Sequence, residues 1–114
     1  MSYTIYILEC RNGSYYTGIT TDLARRYQEH QLGINCRYTR AFPPKEIAVA
    51  WELGHSDNGT AQKIEYFIKQ QTRSTKSKFI KNPQELILAI EKSGINTMGP
   101  PLSVVVWTKK LQLG

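Results

Sequence analysis

A chain of 114 residues has room for one domain with a real core and not for two. No apolar run approaches the ~18 residues of a membrane span, and the start MSYTIYILEC lacks the basic region and small-residue cleavage site of a signal peptide, so a cytoplasmic location is expected. The net charge of +6 and pI near 9.4 favour a polyanionic partner, because cations that meet phosphates release condensed counterions, although charge alone is weak evidence.

Neither a membrane nor an organic cofactor is expected. Cys10 and Cys36 lie in no C-x-x-C or Cys/His ligand pattern and read as reduced packing residues. Between Lys63 and Lys81 six cations face a single acid, Glu65.

The first element, YTIYILE (3–9), is apolar at both parities, which suits a strand covered on both sheet faces. Its partner is YYTGIT (15–20), joined through RNGS, where Asn12-Gly13 signals a hairpin. From Thr21 the period becomes helical: Thr21 or Asp22 caps a helix over about 22–32 with Leu23, Tyr27 and His30 recurring, and Gly33 stops it. INCRYTRAFPP reads as a loop or short turn, exposed and basic at Arg37 and Arg40. KEIAVAWEL sets Ile47, Val49, Trp51 and Leu53 against Glu46, Ala48, Ala50 and Glu52, a third strand.

After the polar GHSDNG comes a helix over about 60–72 with Ala61, Ile64, Phe67, Ile68 and Gln71 on one side, and STKSKFI adds a helical turn or short helix. Asn82-Pro83-x-Glu85 has the form of a cap, a first-position proline and a third-position glutamate, opening a helix that Gly94 stops. LSVVVWT (102–108) is a late strand or an apolar arm. The order β-β-α-β-α-α implies an α+β domain over 1–94, with core 3–81, and an extension over 95–114.

At about 100° per residue, Arg26 and His30 share a side with Leu23 and Tyr27, while Arg25 points almost the opposite way. An inward Arg26 needs a buried partner, a ligand or a snorkelling path; Glu9 is one candidate acid. Glu65, Lys69, Arg73 and Lys76 fall within one stripe bordering the apolar face of the later helix. That stripe is either a solvated face with an ordinary Glu-to-Lys pair or a metal-binding carboxylate beside a nucleic-acid track.

Tyr6 in TIYIL, Tyr16-Thr17-Gly18, Arg26-x-x-x-His30 and Glu65 together resemble the GIY-YIG nuclease domain in order and spacing. The likeness is strongest to the small stand-alone bacterial proteins of that family, in which RYTR before a proline and E-x-x-I-K also recur, here Arg37 to Arg40 and Glu65 to Lys69. TIY and YTG replace the two family triplets with both tyrosines and the glycine kept. A family asparagine has no counterpart in TRSTKSK, and Tyr38 stands where certain relatives carry another histidine.

The resemblance implies a three-stranded antiparallel sheet flanked by helices and metal-dependent hydrolysis of DNA phosphodiesters, in repair or recombination, on duplex of structured or branched form. It implies Glu65 as metal ligand, Arg26 on the scissile phosphate, Tyr6 as general base, a role that requires nearby cations to lower its pKa, and Tyr16 positioning water or phosphate; because the nine acids are scattered, a single Mg²⁺ or Mn²⁺ is expected. His30 would orient or accept from Tyr6, and Gly18 would permit close approach. Lys69, Arg73 and Lys76, with Arg37 and Arg40, would hold the flanking backbone. The alternatives are a non-catalytic nucleic-acid-binding module on the same fold and a protein-interaction domain that adds LSVVVWT as a strand.

Such a site needs both tyrosines on one face of the sheet. A two-residue Asn-Gly turn pairs positions summing to 25 and separates them, whereas a three-residue loop Arg11 to Gly13, with Gly13 left-handed in a bulge, sums to 24 and unites them. The longer loop is the expectation.

Overall fold

In the computed structural model, which describes residues 2–54, 58–95 and 102–104, the first hairpin sets the layout. Strands β1 (Tyr3–Cys10) and β2 (Tyr15–Thr20) pair antiparallel with Leu8 opposite Tyr16 and Tyr6 opposite Gly18, the register summing to 24. The loop is the longer one. The Cys10 amide donates to the Ser14 carbonyl at 2.8 Å, the Gly13 amide to the Cys10 carbonyl at 2.9 Å, and Gly13 has φ 87°.

Helix α1 (Leu23–Leu32) follows, then a one-turn α2 (Arg37–Ala41), β3 (Pro44–Leu53), α3 (Asn58–Lys69), α4 (Arg73–Lys81), α5 (Gln84–Ser93) and a short β4 (Leu102–Val104). The fold is the expected α+β arrangement, an antiparallel sheet of β2, β1 and β3 flanked by helices, with β4 added beyond β3. The late strand is therefore present over Leu102–Val104; the rest of LSVVVWT lies outside the described residues. Among the described residues no helix is long and apolar enough to cross a membrane.

The sheet is covered on both faces, which is why β1 does not alternate. On one face Ile5, Ile7, Val49, Trp51 and Leu53 bury against Ala61, Ile64 and Ile68 of α3, Phe79 of α4 and Leu86 and Ile90 of α5. On the other, Tyr6, Leu8, Ile47 and Ala50 pack with Tyr27 of α1, and Tyr16 and Leu23 lie against them.

The alternation in β3 is broken where the sequence reads as even. Ile7 pairs Val49 but Leu8 pairs Ile47, so Ala48 is the extra residue of a bulge. Ile47 thereby leaves the face of Val49, Trp51 and Leu53 and joins the Tyr6 cluster. Helix ends also depart from expectation. The helix expected to reach 72 stops at Lys69 because the Thr72 side chain caps α4 by accepting from the Thr75 amide at 3.1 Å.

Asn82 does not cap α5: its amide closes α4 on the Lys78 carbonyl at 2.9 Å, and Pro83 occupies the cap position with no side-chain bond. The Trp51 indole N–H donates to the Pro83 carbonyl at 2.9 Å and fastens this junction to the sheet. INCRYTRAFPP, read as loop or turn, contains α2 with Cys36 at its cap position. Helix α1 begins as expected, with the Asp22 carboxylate accepting from the Arg25 amide at 3.1 Å, and ends at left-handed Gly33.

Since the hairpin loop depends on a left-handed residue at position 13, Gly13→Ala should lower the free energy of unfolding by about 1–2 kcal/mol. Gly13→Asn, which tolerates that conformation, should recover most of the loss. Urea unfolding of the three proteins measures both.

Candidate active site

The site grows from a cross-strand pair in the middle of the sheet. Tyr6 and Gly18 stand opposite each other, and a Cβ on Gly18 would lie 2.5 Å from the Tyr6 phenolic oxygen. Only glycine lets the Tyr6 ring lie across its partner strand. The ring is 1% exposed, and its oxygen lies 2.7 Å from Nε2 of His30, a wholly buried side chain of α1. The other imidazole nitrogen, Nδ1, is 2.9 Å from Oγ1 of Thr39 on α2.

Tyr16 meets His30 edge-on at 5.1 Å between ring centres and stacks on Tyr38 at 5.6 Å, which in turn leans on Phe42. The Tyr38 hydroxyl donates to Ser14 in the hairpin, so α2 is tied to the loop that set the register.

Arg26 faces the same cleft and is 21% exposed. Its acid is Glu29 on its own helix, not Glu9: Nη1 donates to Glu29 at 2.9 Å and Nη2 to the Asn35 carbonyl at 3.2 Å, while Glu9 lies 4.0 Å from Lys45. Asn35 has φ 60°, a left-handed turn that aims its carbonyl back at α1. From the opposite layer, Glu65 is close enough for its charge to act on Tyr6. Lys69 Nζ lies 3.5 Å from the Glu65 carboxylate and 5.9 Å from the centre of the Tyr16 ring.

Tyr6, Tyr16 and His30 are thus in contact from β1, β2 and α1, with Arg26 of α1 and Glu65 of α3 near enough for their charges to act on Tyr6. The other cations are spread out. Arg37 and Arg40 are exposed on α2, with Arg40 packed over Gly33. Arg73 sits 4.2 Å over the Tyr15 ring, whose hydroxyl is 3.0 Å from Ser77 of α4. Tyr15 belongs to the sheet face away from Tyr16, so Arg73 does not extend the Lys69 edge of the cleft directly. Lys76 is half-buried on α4.

Burial governs the protonation states. It pushes the Tyr6 phenol up to about 12, outweighing the Arg26 charge that pulls it down, and it raises Tyr16 further. Arg26 does pull Tyr6 down, but the cost of desolvating a buried phenolate exceeds one guanidinium's attraction, so the lowering that a general-base Tyr6 requires is not reached here. Burial, aided by Arg26, lowers His30 to about 4, so it is neutral at pH 7 and able to accept a proton. For Cys36, burial raises the thiol, but the Thr39 donors, then the Tyr16 hydroxyl and Tyr38 amide, outweigh it and leave the group below its ordinary value.

Thr39 and Cys36 are site residues that the sequence reading missed. The usable signal was in RYTR itself: read as a helical turn, it sends Thr39 roughly opposite to Arg37, inward rather than to solvent.

His30 resists protonation in the folded state, near 4 against 6.5 when free. Between those values the unfolded chain takes up a proton that the folded one refuses, so stability is fully present above about 6.5 and falls as pH drops towards 4. Going from pH 7 to 4.5, the parent should lose about 2 kcal/mol more than His30→Gln does, read by urea unfolding at both pH values.

Residues 2–79 match the family model of the GIY-YIG catalytic domain. A UPF0213 protein of Xanthomonas campestris pv. campestris (strain 8004) is 49% identical over 72 residues, 63% of this chain and 69% of that one. The UPF0213 protein Reut_B5558 of Cupriavidus pinatubonensis is 43% identical over 82 residues, 62% of this chain and 91% of that one. The solution NMR structure of the UPF0213 protein BH0048 from Bacillus halodurans covers 75% of this chain and 93% of its own at 34% identity, with a TM-score of 0.45. The family match takes in more than half of the chain and every strand and helix that contributes to the cleft, and this chain belongs to the GIY-YIG nuclease family, with a domain of endonuclease-like type.

Proposed function

We propose that the protein is a metal-dependent endonuclease that hydrolyses DNA phosphodiester bonds, acting on structured or branched duplex in repair or recombination. The observation that carries the reading is the 2.7 Å contact between the Tyr6 hydroxyl and neutral His30, with the charges of Arg26 and Glu65 both reaching Tyr6.

Hydrolysis needs an activated water, compensation of charge on the phosphoryl oxygens and stabilisation of the leaving alkoxide. A free Tyr6 phenolate is scarce at neutral pH. The phenol works instead as a conduit: its oxygen takes the proton of the attacking water while its own proton passes to Nε2 of His30. The imidazole supplies the acceptor for the phenolic proton and Tyr6 the contact with water. Arg26 keeps part of its fork for the phosphate while Glu29 and Asn35 fix its direction. Tyr16, protonated, would turn its one hydroxyl proton from Cys36 to water or phosphate when substrate enters.

Glu65 suits a hard divalent ion, Mg²⁺ or Mn²⁺: it is a partly exposed carboxylate that already draws the Lys69 cation to 3.5 Å, and phosphate oxygens and waters would complete the shell. When bound, the ion adds positive charge beside the phosphoryl and leaving oxygens. Lys69 beside Tyr16, with Arg37 and Arg40 on the α2 side, would hold the backbone next to the scissile bond, while Arg73 and Lys76 on α4 could meet only more distant phosphates of the duplex.

Glu65→Ala and Arg26→Ala should each reduce Mn²⁺-supported cleavage of labelled flap, nicked or four-way-junction DNA by about 10²–10³-fold with binding largely retained. Variants that bind and cut like the parent exclude the catalytic assignment, and a parent that binds DNA without cutting marks a nucleic-acid-binding module. Gly18→Ala should cost about 10²-fold in rate, because the added methyl displaces the Tyr6 oxygen from His30. The same cleavage assay, paired with thermal melting to confirm folding, reads that loss.

A further inference from the structure

The direction of every hydrogen bond in the cleft can be worked out from the Tyr6 oxygen. The side chains in hydrogen-bonding relation to that oxygen are His30, at 2.7 Å, and Arg26. A guanidinium can only donate, so among these two neighbours the acceptor for the phenolic proton is Nε2 of His30. A neutral imidazole carries one N–H. With Nε2 accepting, that hydrogen lies on Nδ1 and points at Oγ1 of Thr39, 2.9 Å away.

Thr39 then accepts, and its own hydroxyl proton is free to turn elsewhere. Cys36, three residues earlier and at the cap position of the same turn, is near enough for the Thr39 and Tyr16 hydroxyls to lower its thiol. The protons of Tyr6 and His30 thereby each have an acceptor, and that of Thr39 can turn towards the Cys36 sulfur.

The opposite tautomer fails at the other end. With Nε2–H aimed at the Tyr6 oxygen and Arg26 donating to it as well, neither side chain bonded to that oxygen would accept the Tyr6 hydroxyl proton in a ring that is 1% exposed, a costly arrangement before substrate and water enter. Thr39 is itself 1% exposed, so bulk water does not substitute for its hydroxyl.

We propose that Thr39 is a positioning residue for phosphodiester cleavage: its hydroxyl oxygen, backed by the Cys36 sulfur, holds the Nδ1–H of His30 and leaves Nε2 as the acceptor of the Tyr6 proton. The inference rests on the nuclease reading of the cleft and adds the residue that sets the direction of proton flow within it. A neutral oxygen behind the imidazole fixes its tautomer without the field of a carboxylate, which would favour the imidazolium before substrate arrives.

The test is ¹⁵N NMR of the His30 ring in the intact protein at pH 7 without DNA or metal, alongside cleavage rates with Mn²⁺. The parent and Thr39→Ser should both show a protonated Nδ1 and an unprotonated Nε2, and Thr39→Ser should cut within about threefold of the parent. Thr39→Val should shift the ring towards the other tautomer and lose about 10- to 100-fold in kcat with KM little changed.

A parent ring protonated on Nε2 overturns the proposal, as does a Thr39→Val protein that keeps both the parental signature and the parental rate. The parental spectrum needs no substitution, so the test stands even where Thr39→Val does not fold. A parent with the expected signature that cuts none of the substrates overturns the nuclease reading and leaves the hydrogen-bond direction standing.

Discussion

The hydrogen bond between Tyr6 and His30 is the constraint from which the rest of the cleft follows. A phenol buried in the centre of a sheet must find a partner for its hydroxyl, and this one finds it on a helix packed against that face. For the ring to reach, the opposing strand must carry no side chain, so Gly18 stands across from it. For the imidazole to be in place, α1 must bury His30, and α2 must come back over it to supply Thr39. The hairpin loop, its left-handed glycine and the α2 turn all serve one oxygen-to-nitrogen distance.

The same burial that holds the pair in place determines what it can do. It makes phenolate expensive and imidazolium expensive, leaving two neutral groups that can exchange a proton only when a reaction supplies one. Arg26 deepens the effect on His30 and opposes it on Tyr6, so one guanidinium biases both partners towards passing the proton outward rather than storing it. The exposed ion pairs of the surface, such as Arg25 with Asp22, contribute little beside this. The basic residues divide by layer: Lys69 at the cleft, Arg37 and Arg40 on the α2 side, and Arg73 engaged with an aromatic ring on the far face of the sheet.

Much of the fold was legible because its signals are local. The hairpin register followed from Asn12-Gly13 together with the need to place two tyrosines on one face, and Asp22 and Gly33 marked both ends of α1. The bulge at Ala48 was not legible, since an even alternation in β3 carries no trace of where β1 forces an extra residue. Asn82 looked like a cap for the following helix, but the preceding helix uses it, and nothing nearby in sequence ranks the two demands. The α2 turn was hidden by its proline-rich flank, and Thr39 and Cys36 were hidden with it.

The sequence by itself determined which reactive groups exist and which local elements carry them: phenols on strands, a guanidinium and an imidazole four residues apart on a helix, and a carboxylate at helical spacing from a lysine. Tertiary structure alone decided how readily Tyr6, Tyr16 and His30 give up or take protons and where those protons point. The reason is physical: desolvation and hydrogen-bond direction depend on neighbours 24 residues away across a packed interface, as between Tyr6 and His30, and no periodicity along the chain encodes them.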